Sequence, residues 1–306
     1  MNKDLLCLYD LTREDFDLIF ERAAVLKEML ARKEAYRPLK GQTLGMIFEK
    51  PSTRTRVSFE VGVYQMGGHA LYLRADDTQL GRGESVADTA RVLSRYLDGI
   101  MIRTFSQQTV AELAATADIP VINGLTDLYH PCQILTDIFT VTEKRGSYDG
   151  LRAVFIGDGN NMAHSWINAA VRLGFQLTLA CPADHMPDAA VLARARGEVG
   201  DAVRVVHDPC EAVADADVIN TDTWVSMGQE QAYRERIKAF SGFQVNKQLL
   251  AACPPDVLVM HCLPAHRGEE ITDEVLDGPH SIVFDQSENR LHVQKAILEI
   301  LMGARG

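Results

Sequence analysis

Apolar and polar residues alternate along this chain in blocks that predict short buried strands separated by amphipathic helices. A first helix is predicted within residues 11–35, where apolar residues recur at helical spacing. Short apolar runs predict strands at 43–48, 70–73, 99–103, 120–123, 152–157, 175–180, 203–206, 217–220, 257–261 and 281–285. Helical spacing between them predicts helices at 85–96, 109–117, 128–144, 162–173 and 190–198, with a last helix at 291–302.

Alternating strands and helices predict an α/β protein built from two doubly wound parallel-sheet domains. The best candidate for a domain boundary is the turn-rich stretch Arg145-Gly146-Ser147-Tyr148-Asp149-Gly150. We therefore expect a first domain at 1–145 and a second at 146–289. Periodicity does not assign the C-terminal helix, 290–306, to either domain, and we expect it to pack back on the first. Ligands of such sheets bind beyond the carboxyl ends of the strands, so the polar segments that follow each strand are the candidate site.

The stretch Ser52-Thr53-Arg54-Thr55-Arg56 follows the first strand and begins a helix. Ser52 or Thr53 is the predicted N-cap, and Val57, Val61 and Tyr64 lie at the spacing of one apolar helix face. Hydroxyls, guanidinium groups and the positive end of a helix dipole in one place are suited to binding a phosphate. An ordinary capped helix needs one hydroxyl and no arginine, so the pattern favours an anion site.

Composition and charge narrow the possible partners. The chain has 306 residues, is 46% hydrophobic and carries a formal charge of -11, which argues against nucleic acid. Its six cysteines are scattered without a Cys-x-x-Cys pair, a pattern typical of a reducing compartment. Because no signal segment and no apolar run of about 20 residues is present, we expect a cytoplasmic protein with no membrane partner.

The motif Gly157-Asp158-Gly159-Asn160-Asn161-Met162 follows a strand and begins a helix. Three interpretations stay open: a glycine-rich turn with an asparagine cap, a site for a small zwitterion, and a dinucleotide fingerprint. The dinucleotide interpretation is the weakest of the three. It has Met162 in place of the third glycine, and Asp158 would crowd a pyrophosphate.

Two further polar segments follow strands of the second half. Asp222 could meet an ammonium group, and the segment His261-Cys262-Leu263-Pro264 carries a thiol that is either a small buried apolar group or a reactive one. A zinc site on His261, Cys262 and His266 would lack a second ligand pair at metal spacing.

Single polar residues recur at the other strand ends. Arg103, His130, Gln133 and Arg290 are each unremarkable alone, and solvation at the surface is the ordinary explanation for such residues. His130 and Gln133 are three apart at a helix start, so both could face one way. Their recurrence at strand ends favours a shared site.

Taken together, the motifs resemble the aspartate/ornithine carbamoyltransferase family over nearly the whole chain. They are Ser52-Thr53-Arg54-Thr55-Arg56, His130-Pro131-Cys132-Gln133, Asp222 with Ser226-Met227-Gly228, and His261-Cys262-Leu263-Pro264. Aspartate-specific members resemble His-Pro-Leu-Pro at the last motif and carry a lysine where this chain has Gln79. The resemblance therefore points to the branch that uses ornithine.

The resemblance implies a carbamoyl phosphate-binding first domain and an ornithine-binding second domain, with the active site in the cleft between them. The implied residues for carbamoyl phosphate are Ser52, Thr53, Arg54, Thr55, Gln79, Arg103, His130, Gln133, Cys262, Leu263 and Arg290. Those implied for ornithine are Asn161, Asp222, Ser226 and Met227. Arg54, Arg103, His130 and Cys262 are the implied catalytic residues. Gln79 would reach a neighbouring site, which implies a homotrimer.

The implied reaction transfers a carbamoyl group to the δ-amine of L-ornithine, giving L-citrulline and phosphate within arginine metabolism. It needs no metal and no organic cofactor. An amine with a pKa of about 10.4 must lose a proton before it attacks, so the site would favour the free amine by nearby cations or by a proton acceptor such as a Cys262 thiolate or Asp222. The alternatives are carbamoyl transfer to putrescine or an N-acylornithine, a nucleotide-binding dehydrogenase, and a non-catalytic amino-acid-binding protein.

Overall fold

The computed structural model describes residues 1–74, 83–225 and 233–303, and the chain divides into two compact units. Unit 1 consists of Met1–Phe139 and Glu288–Gly306, and unit 2 consists of Thr140–Ser287. Both units are parallel α/β structures, which confirms the predicted fold class.

Unit 1 contains a parallel sheet with helices between its strands. The strands are β1 (Thr43–Phe48), β2 (His69–Arg74), β3 (Gly99–Arg103) and β4 (Val121–Leu125), in the order β2-β1-β3-β4. The helices that begin in this part of the chain are α1 (Arg13–Ala31), α2 (Thr53–Gln65), α3 (Val86–Leu93), α4 (Gln107–Thr116) and α5 (Pro131–Arg145). Ile47, Ile100 and Ile102 from the two central strands belong to one buried apolar cluster with residues of α3 and α4.

Unit 2 has a second parallel sheet. Its strands are β5 (Arg152–Ile156), β6 (Gln176–Ala180), β7 (Val203–Val206), β8 (Val218–Thr221) and β9 (Leu258–His261), in the order β7-β6-β5-β8-β9. The remaining helices are α6 (Asn161–Leu173), α7 (Ala189–Val199), α8 (Pro209–Val213), α9 (Tyr233–Phe240), α10 (Lys247–Leu250), α11 (Asp273–Leu276) and α12 (Val283–Met302). The strand order reverses at β5 and β8, so the segments after these strands lie at the position where such sheets bind ligands.

The apolar face predicted for α2 is wrong. Val57, Val61 and Tyr64 are 49%, 37% and 81% exposed, whereas Phe59 and Val63 are buried. The helix therefore packs on the sheet through a face roughly opposite the predicted one, since residues two apart on a helix point about 200° apart. It leaves a row of large apolar side chains on the surface of unit 1.

The strand predicted at 281–285 is also wrong. Only Ser281 forms a parallel bridge, to Val259, and α12 begins two residues later at Val283. Phe284 is 64% exposed beside the buried Val283, a contrast that fits the start of an amphipathic helix. The last helix consequently begins eight residues before its predicted start at 291. Among the described residues, no helix is long and apolar enough to span a membrane.

Candidate active site

The stretch 52–56, called the phosphate motif for its predicted role, forms the N-terminus of α2, as predicted. Ser52 is the N-cap, and its Oγ accepts the backbone N–H of Thr55 at 3.2 Å and donates to Thr55 Oγ1 at 3.1 Å. Thr53 is the exposed first residue of the helix, and Arg54 follows it half-buried. Hydroxyls and the positive end of a 13-residue helix therefore lie together where β1 ends.

Arg290 of α12 joins this motif from more than 200 residues away in sequence. Its guanidinium donates from Nη2 to Thr55 Oγ1 at 2.9 Å and from Nη1 to Gln133 Oε1 at 2.6 Å. Gln133 in turn donates from Nε2 to Asp137 Oδ1 at 2.8 Å. Because a carboxylate only accepts and a guanidinium only donates, these partners fix which end of the Gln133 amide faces Arg290.

Asp137 was not predicted as part of the site. It is fully buried one helical turn after Gln133 on α5, and the i, i+4 spacing of a glutamine and an acid was the available signal.

His130 and Arg103 are the other buried polar residues of this half. Arg103 is the last residue of β3, and His130 directly precedes α5. Burial lowers the pKa of His130 well below its usual range, and the positive charges of Arg290 and Arg103 lower that pKa further. The imidazole is therefore neutral at pH 7 and can offer an N–H to a carbonyl oxygen without adding charge.

The loops that carry these residues are connected to each other at the strand ends. The backbone N–H of Glu49 donates to the carbonyl of Arg103 at 2.8 Å, and the Glu49 carboxylate accepts from the Thr104 hydroxyl. Lys50 pairs with Asp127. These contacts join the segments that follow β1, β3 and β4, so they hold the phosphate motif and Arg103 in a fixed relation.

His130 gives a testable dependence of stability on pH. Its unfolded form binds a proton below about pH 6.5, whereas the folded form does not until much lower pH, so folding stability falls as pH drops below that value. We expect this residue to cost about 1 kcal/mol of unfolding free energy at pH 5.5 relative to pH 7.5. Urea unfolding at fixed protein concentration should show a smaller decline over this range for His130→Asn than for the wild type. Equal declines would contradict the buried, neutral assignment.

In unit 2, the residues predicted to bind the amine substrate are arranged around Asp222, which follows β8. Asp222 Oδ1 accepts from Cys262 Sγ at 3.0 Å and from the backbone N–H of Thr223 at 2.8 Å, and Oδ2 accepts from Asn160 Nδ2 at 3.2 Å. Asn160 is also the N-cap of α6, since its Oδ1 accepts the N–H of Met162 at 2.9 Å. Asn161, the predicted ligand, is the first residue of that helix and is half-buried.

His261 and Glu270 hold the backbone next to Cys262. Both are fully buried, and His261 Nε2 lies 2.9 Å from Glu270 Oε1. His261 Nδ1 accepts the backbone N–H of Leu263 at 2.9 Å, so the proton of this ring is on Nε2. Leu263 has a φ of +57°, a conformation that a non-glycine residue holds only when its surroundings enforce it.

Among the described residues, two groups bring three potential metal ligands close together. They are Asp222, His261 and Cys262, and His266, Glu269 and Glu270. In the first group both nitrogens of His261 are engaged, by the Leu263 N–H and by Glu270, so the ring offers no lone pair. In the second group, Glu270 Oε1 accepts hydrogen bonds from His261 Nε2 and from the backbone N–H of His266. This oxygen is therefore already engaged and is a poor ligand for an ion.

The Gly157-to-Met162 motif does not leave room for a dinucleotide. A Cβ on Gly159 would lie 2.2 Å from the backbone of Met186 and Pro187, so another loop occupies the space above this glycine. Its N–H donates to the carbonyl of His185 at 2.9 Å. The glycine serves close packing of two loops, and the motif is a turn with an asparagine cap whose amide reaches Asp222.

The predicted site residues thus fall into two groups, each gathered within its own unit. Gln79, Ser226 and Met227 lie outside the described residues. The first group is a helix N-terminus with hydroxyls and guanidinium groups beside it, which is suited to a phosphate, and the second is a carboxylate hydrogen-bonded to a thiol. These features suit a group-transfer enzyme whose donor carries a phosphate and whose acceptor carries an amine.

The comparisons with known proteins identify the family. Residues 3–143 match the carbamoyl-P binding domain of aspartate/ornithine carbamoyltransferase, and residues 149–301 match the Asp/Orn binding domain. The chain belongs to the aspartate/ornithine carbamoyltransferase family.

Individual relatives agree over the full length. The ornithine carbamoyltransferase of Syntrophus aciditrophicus is 61% identical over 99% of this chain and 100% of its own. The ornithine carbamoyltransferase of Thermococcus kodakarensis is 54% identical over 98% of this chain and 96% of its own. The structure of ornithine carbamoyltransferase from Pyrococcus furiosus superimposes with a TM-score of 0.95 at 53% identity, covering 99% of this chain and 98% of that one.

Proposed function

We infer that this chain is an ornithine carbamoyltransferase, which transfers the carbamoyl group of carbamoyl phosphate to the δ-amine of L-ornithine. The products are L-citrulline and phosphate. The full-length similarity to enzymes of that name and the two residue groups described above support this function. The observation that carries it is the Asp222 carboxylate, held by Cys262 and Asn160 at the ligand-binding end of the second sheet.

Unit 1 provides the donor site in this proposal. Ser52, Thr53, Arg54 and Thr55 bind the phosphate with Arg103 and Arg290, because hydroxyls, guanidiniums and a helix N-terminus all favour an anion. The carbamoyl oxygen accepts hydrogen bonds from Arg103, Thr55 and neutral His130. These donors are already in place for the oxyanion that forms when an amine attacks. The amide oxygen of Gln133 accepts from the carbamoyl –NH₂ group.

Unit 2 provides the acceptor site. Asp222 meets the α-ammonium of ornithine, with Asn161, Ser226 and Met227 completing that end, while Cys262 and Leu263 line the reacting centre. The δ-nitrogen forms a bond to the carbamoyl carbon, and the bond from that carbon to the phosphate oxygen breaks. The attacking amine loses one proton, which Cys262 Sγ accepts as it passes its own proton to Asp222. Phosphate leaves with the bonding electrons.

A panel of amines assayed with carbamoyl phosphate tests the choice of acceptor. Ornithine should be the preferred substrate by kcat/KM. Putrescine lacks the α-amino-acid end, and N-acetylornithine lacks the ammonium that Asp222 would bind. The kcat/KM of each should be lower by about 10- to 100-fold, since a hydrogen bond to a charged group contributes about 1.5–3 kcal/mol. Activity with putrescine but not with ornithine would overturn the assignment.

We further propose that the chain works as a homotrimer in which Gln79 completes a neighbouring copy's site. The exposed row Val57, Val61 and Tyr64 supports an interface, because a helix face of this kind is costly to leave in water. The row is on the helix that carries the phosphate motif, so a copy that packs there lies close to that motif. A heterologous interface, in which two different surfaces of the chain meet, forms a closed cyclic trimer when the ring closes after three copies.

A single charge on this face should prevent assembly. We expect Val61→Glu to elute as a monomer in size-exclusion chromatography with light scattering, whereas the wild type forms trimers. Leu30→Glu is the matched control, since Leu30 of α1 is 36% exposed and Val61 is 37% exposed. A Val61→Glu trimer, or a wild-type monomer at assay concentrations, would contradict the proposed interface.

Shared sites can be tested separately from assembly. Mixed trimers of Arg54→Gln and Gln79→Ala subunits should be more active than either variant alone, because some of their sites combine an unaltered Arg54 from one chain with an unaltered Gln79 from the other. Hybrids that stay inactive would show that each copy builds its own site.

A cytoplasmic role in arginine metabolism completes the proposal. All six cysteines are free thiols, which is typical of proteins in a reducing compartment. Fractionation of cells that express a tagged chain would test the location, and recovery of the protein with secreted material would contradict it.

A further inference from the structure

Arg236 of α9 connects two loops that carry the acceptor residues of unit 2. Its Nη2 pairs with the Asp158 carboxylate, and its Nε donates to the backbone carbonyl of Trp224 at 2.5 Å. Its Nη1 lies 3.5 Å from His185 Nδ1. The side chains of Arg236 and Asp158 are 11% and 13% exposed, so this ion pair is mostly withdrawn from water.

Both partners lie two residues from one member of the hydrogen-bonded pair Asn160 and Asp222. Asp158 precedes Asn160 by two residues, and Trp224 follows Asp222 by two residues. Asn160 and Asp222 are themselves hydrogen-bonded at 3.2 Å. Arg236 therefore links the two segments through Asp158 and Trp224, and the Asn160–Asp222 hydrogen bond links them a second time. Neither loop can shift without breaking one of these contacts.

The guanidinium of Arg236 lies over an aromatic ring. Phe240, one turn later on α9, is fully buried, and its ring centroid lies 5.2 Å from Arg236 Cζ. It also packs on the rings of Trp224 at 5.8 Å and His185 at 4.7 Å. Burial raises the pKa of Asp158, and the charge of Arg236 opposes this rise, so the ionised pair depends on the arginine.

We propose that Arg236 is a positioning residue for the amino-acid end of ornithine, acting through Asp158 and Trp224 without touching the substrate. This inference rests on the proposed function of the same site. A planar guanidinium can hold a carboxylate and a carbonyl at once, which an ammonium group does less well.

The test is the effect of Arg236→Gln on the two Michaelis constants. We expect KM for ornithine to rise on the order of 10- to 100-fold, because displaced binding groups lose much of their effect, while KM for carbamoyl phosphate changes less than about twofold. Arg236→Lys should show a smaller rise of the same kind. Arg234→Gln is the matched control, since Arg234 is exposed on the same helix and should leave both constants unchanged.

A second variant separates positioning from folding. Arg236→Gln leaves the Asp158 charge unpaired, and the double variant with Asp158→Asn removes that charge. If the double variant has the wild-type melting temperature and still shows the raised KM for ornithine, the positioning role stands. Inhibition by L-norvaline, which has the α-amino-acid end without the δ-amine, should weaken by the same factor.

Three outcomes would overturn the inference. One is an unchanged KM for ornithine in the folded double variant. Another is an equal change in both Michaelis constants. The third is unchanged norvaline inhibition. A wild-type chain that forms no citrulline would instead refute the proposed function, so the two failures are distinguishable.

Discussion

Replacing Arg54 with glutamine is expected to lower kcat/KM for carbamoyl phosphate by about 100-fold while the fold is kept. The removal of one charge-assisted contact to a phosphate costs about 1.5–3 kcal/mol, and each 1.4 kcal/mol is about a factor of ten. Arg54 is the second residue of α2, directly after the Ser52 cap and Thr53. Its guanidinium adds to the dipole of the helix at the point where an anion would bind.

The same helix provides a matched control. Arg56 lies two residues later, is exposed, and is paired with Glu60 at 3.1 Å. Its guanidinium also lies 3.8 Å from the centre of the Tyr72 ring. The Arg56 charge therefore interacts with Glu60 and Tyr72, and not with an anion at the helix N-terminus.

Arg56→Gln should therefore leave steady-state kinetics within about twofold of the wild type, since exposed ion pairs contribute little. Near-normal citrulline formation by Arg54→Gln would contradict the phosphate site. So would equal losses in the two variants. Melting temperatures measured in parallel would show whether either change acts through stability instead.

Replacing Asp222 with asparagine is expected to raise KM for ornithine by about 100-fold and to lower kcat as well. The carboxylate accepts three hydrogen bonds, from Cys262, Thr223 and Asn160, and all three partners donate. An asparagine amide would have to turn its –NH₂ toward at least one of these donors, whichever way it is oriented. The charge that would attract the α-ammonium is lost at the same time.

Asp215→Asn is the control for this change. Asp215 is exposed in the same unit, and its nearest cation is Arg152 at 3.8 Å, a distance at which an exposed pair contributes little. Its kinetics should match the wild type. The Asp222→Asn variant should keep its KM for carbamoyl phosphate within about threefold, because the residues proposed to hold the phosphate lie in unit 1. A variant with unaltered KM for ornithine would show that Asp222 does not bind the acceptor.

Local patterns in the sequence predicted much of the fold. Nine of the strands were predicted close to their observed limits, because apolar runs such as Val154, Phe155 and Ile156 are buried on both faces of a parallel sheet. Hydroxyl chemistry predicted a cap at Ser52 or Thr53, and the structure places it at Ser52. Periodicity was wrong where two faces of one helix both carry apolar residues, as with Val57 and Phe59 on α2.

Local sequence patterns could not predict contacts between residues that are far apart in the chain. Arg290 bonds to Thr55 across 235 positions, and Arg236 pairs with Asp158 across 78. A charged residue looks the same in sequence whether it is solvated or paired, so no local pattern separates Arg236 from Arg234. Tertiary packing decides between them. Likewise, the position of Arg290 after a predicted strand favoured a shared site but did not indicate its partners Thr55 and Gln133.

The most direct test of the central claim is a stoichiometric assay of the purified chain with carbamoyl phosphate and L-ornithine. Citrulline and phosphate should appear together in a one-to-one ratio, and both should require both substrates. Phosphate release that does not depend on ornithine, or the absence of citrulline under these conditions, would contradict the assignment.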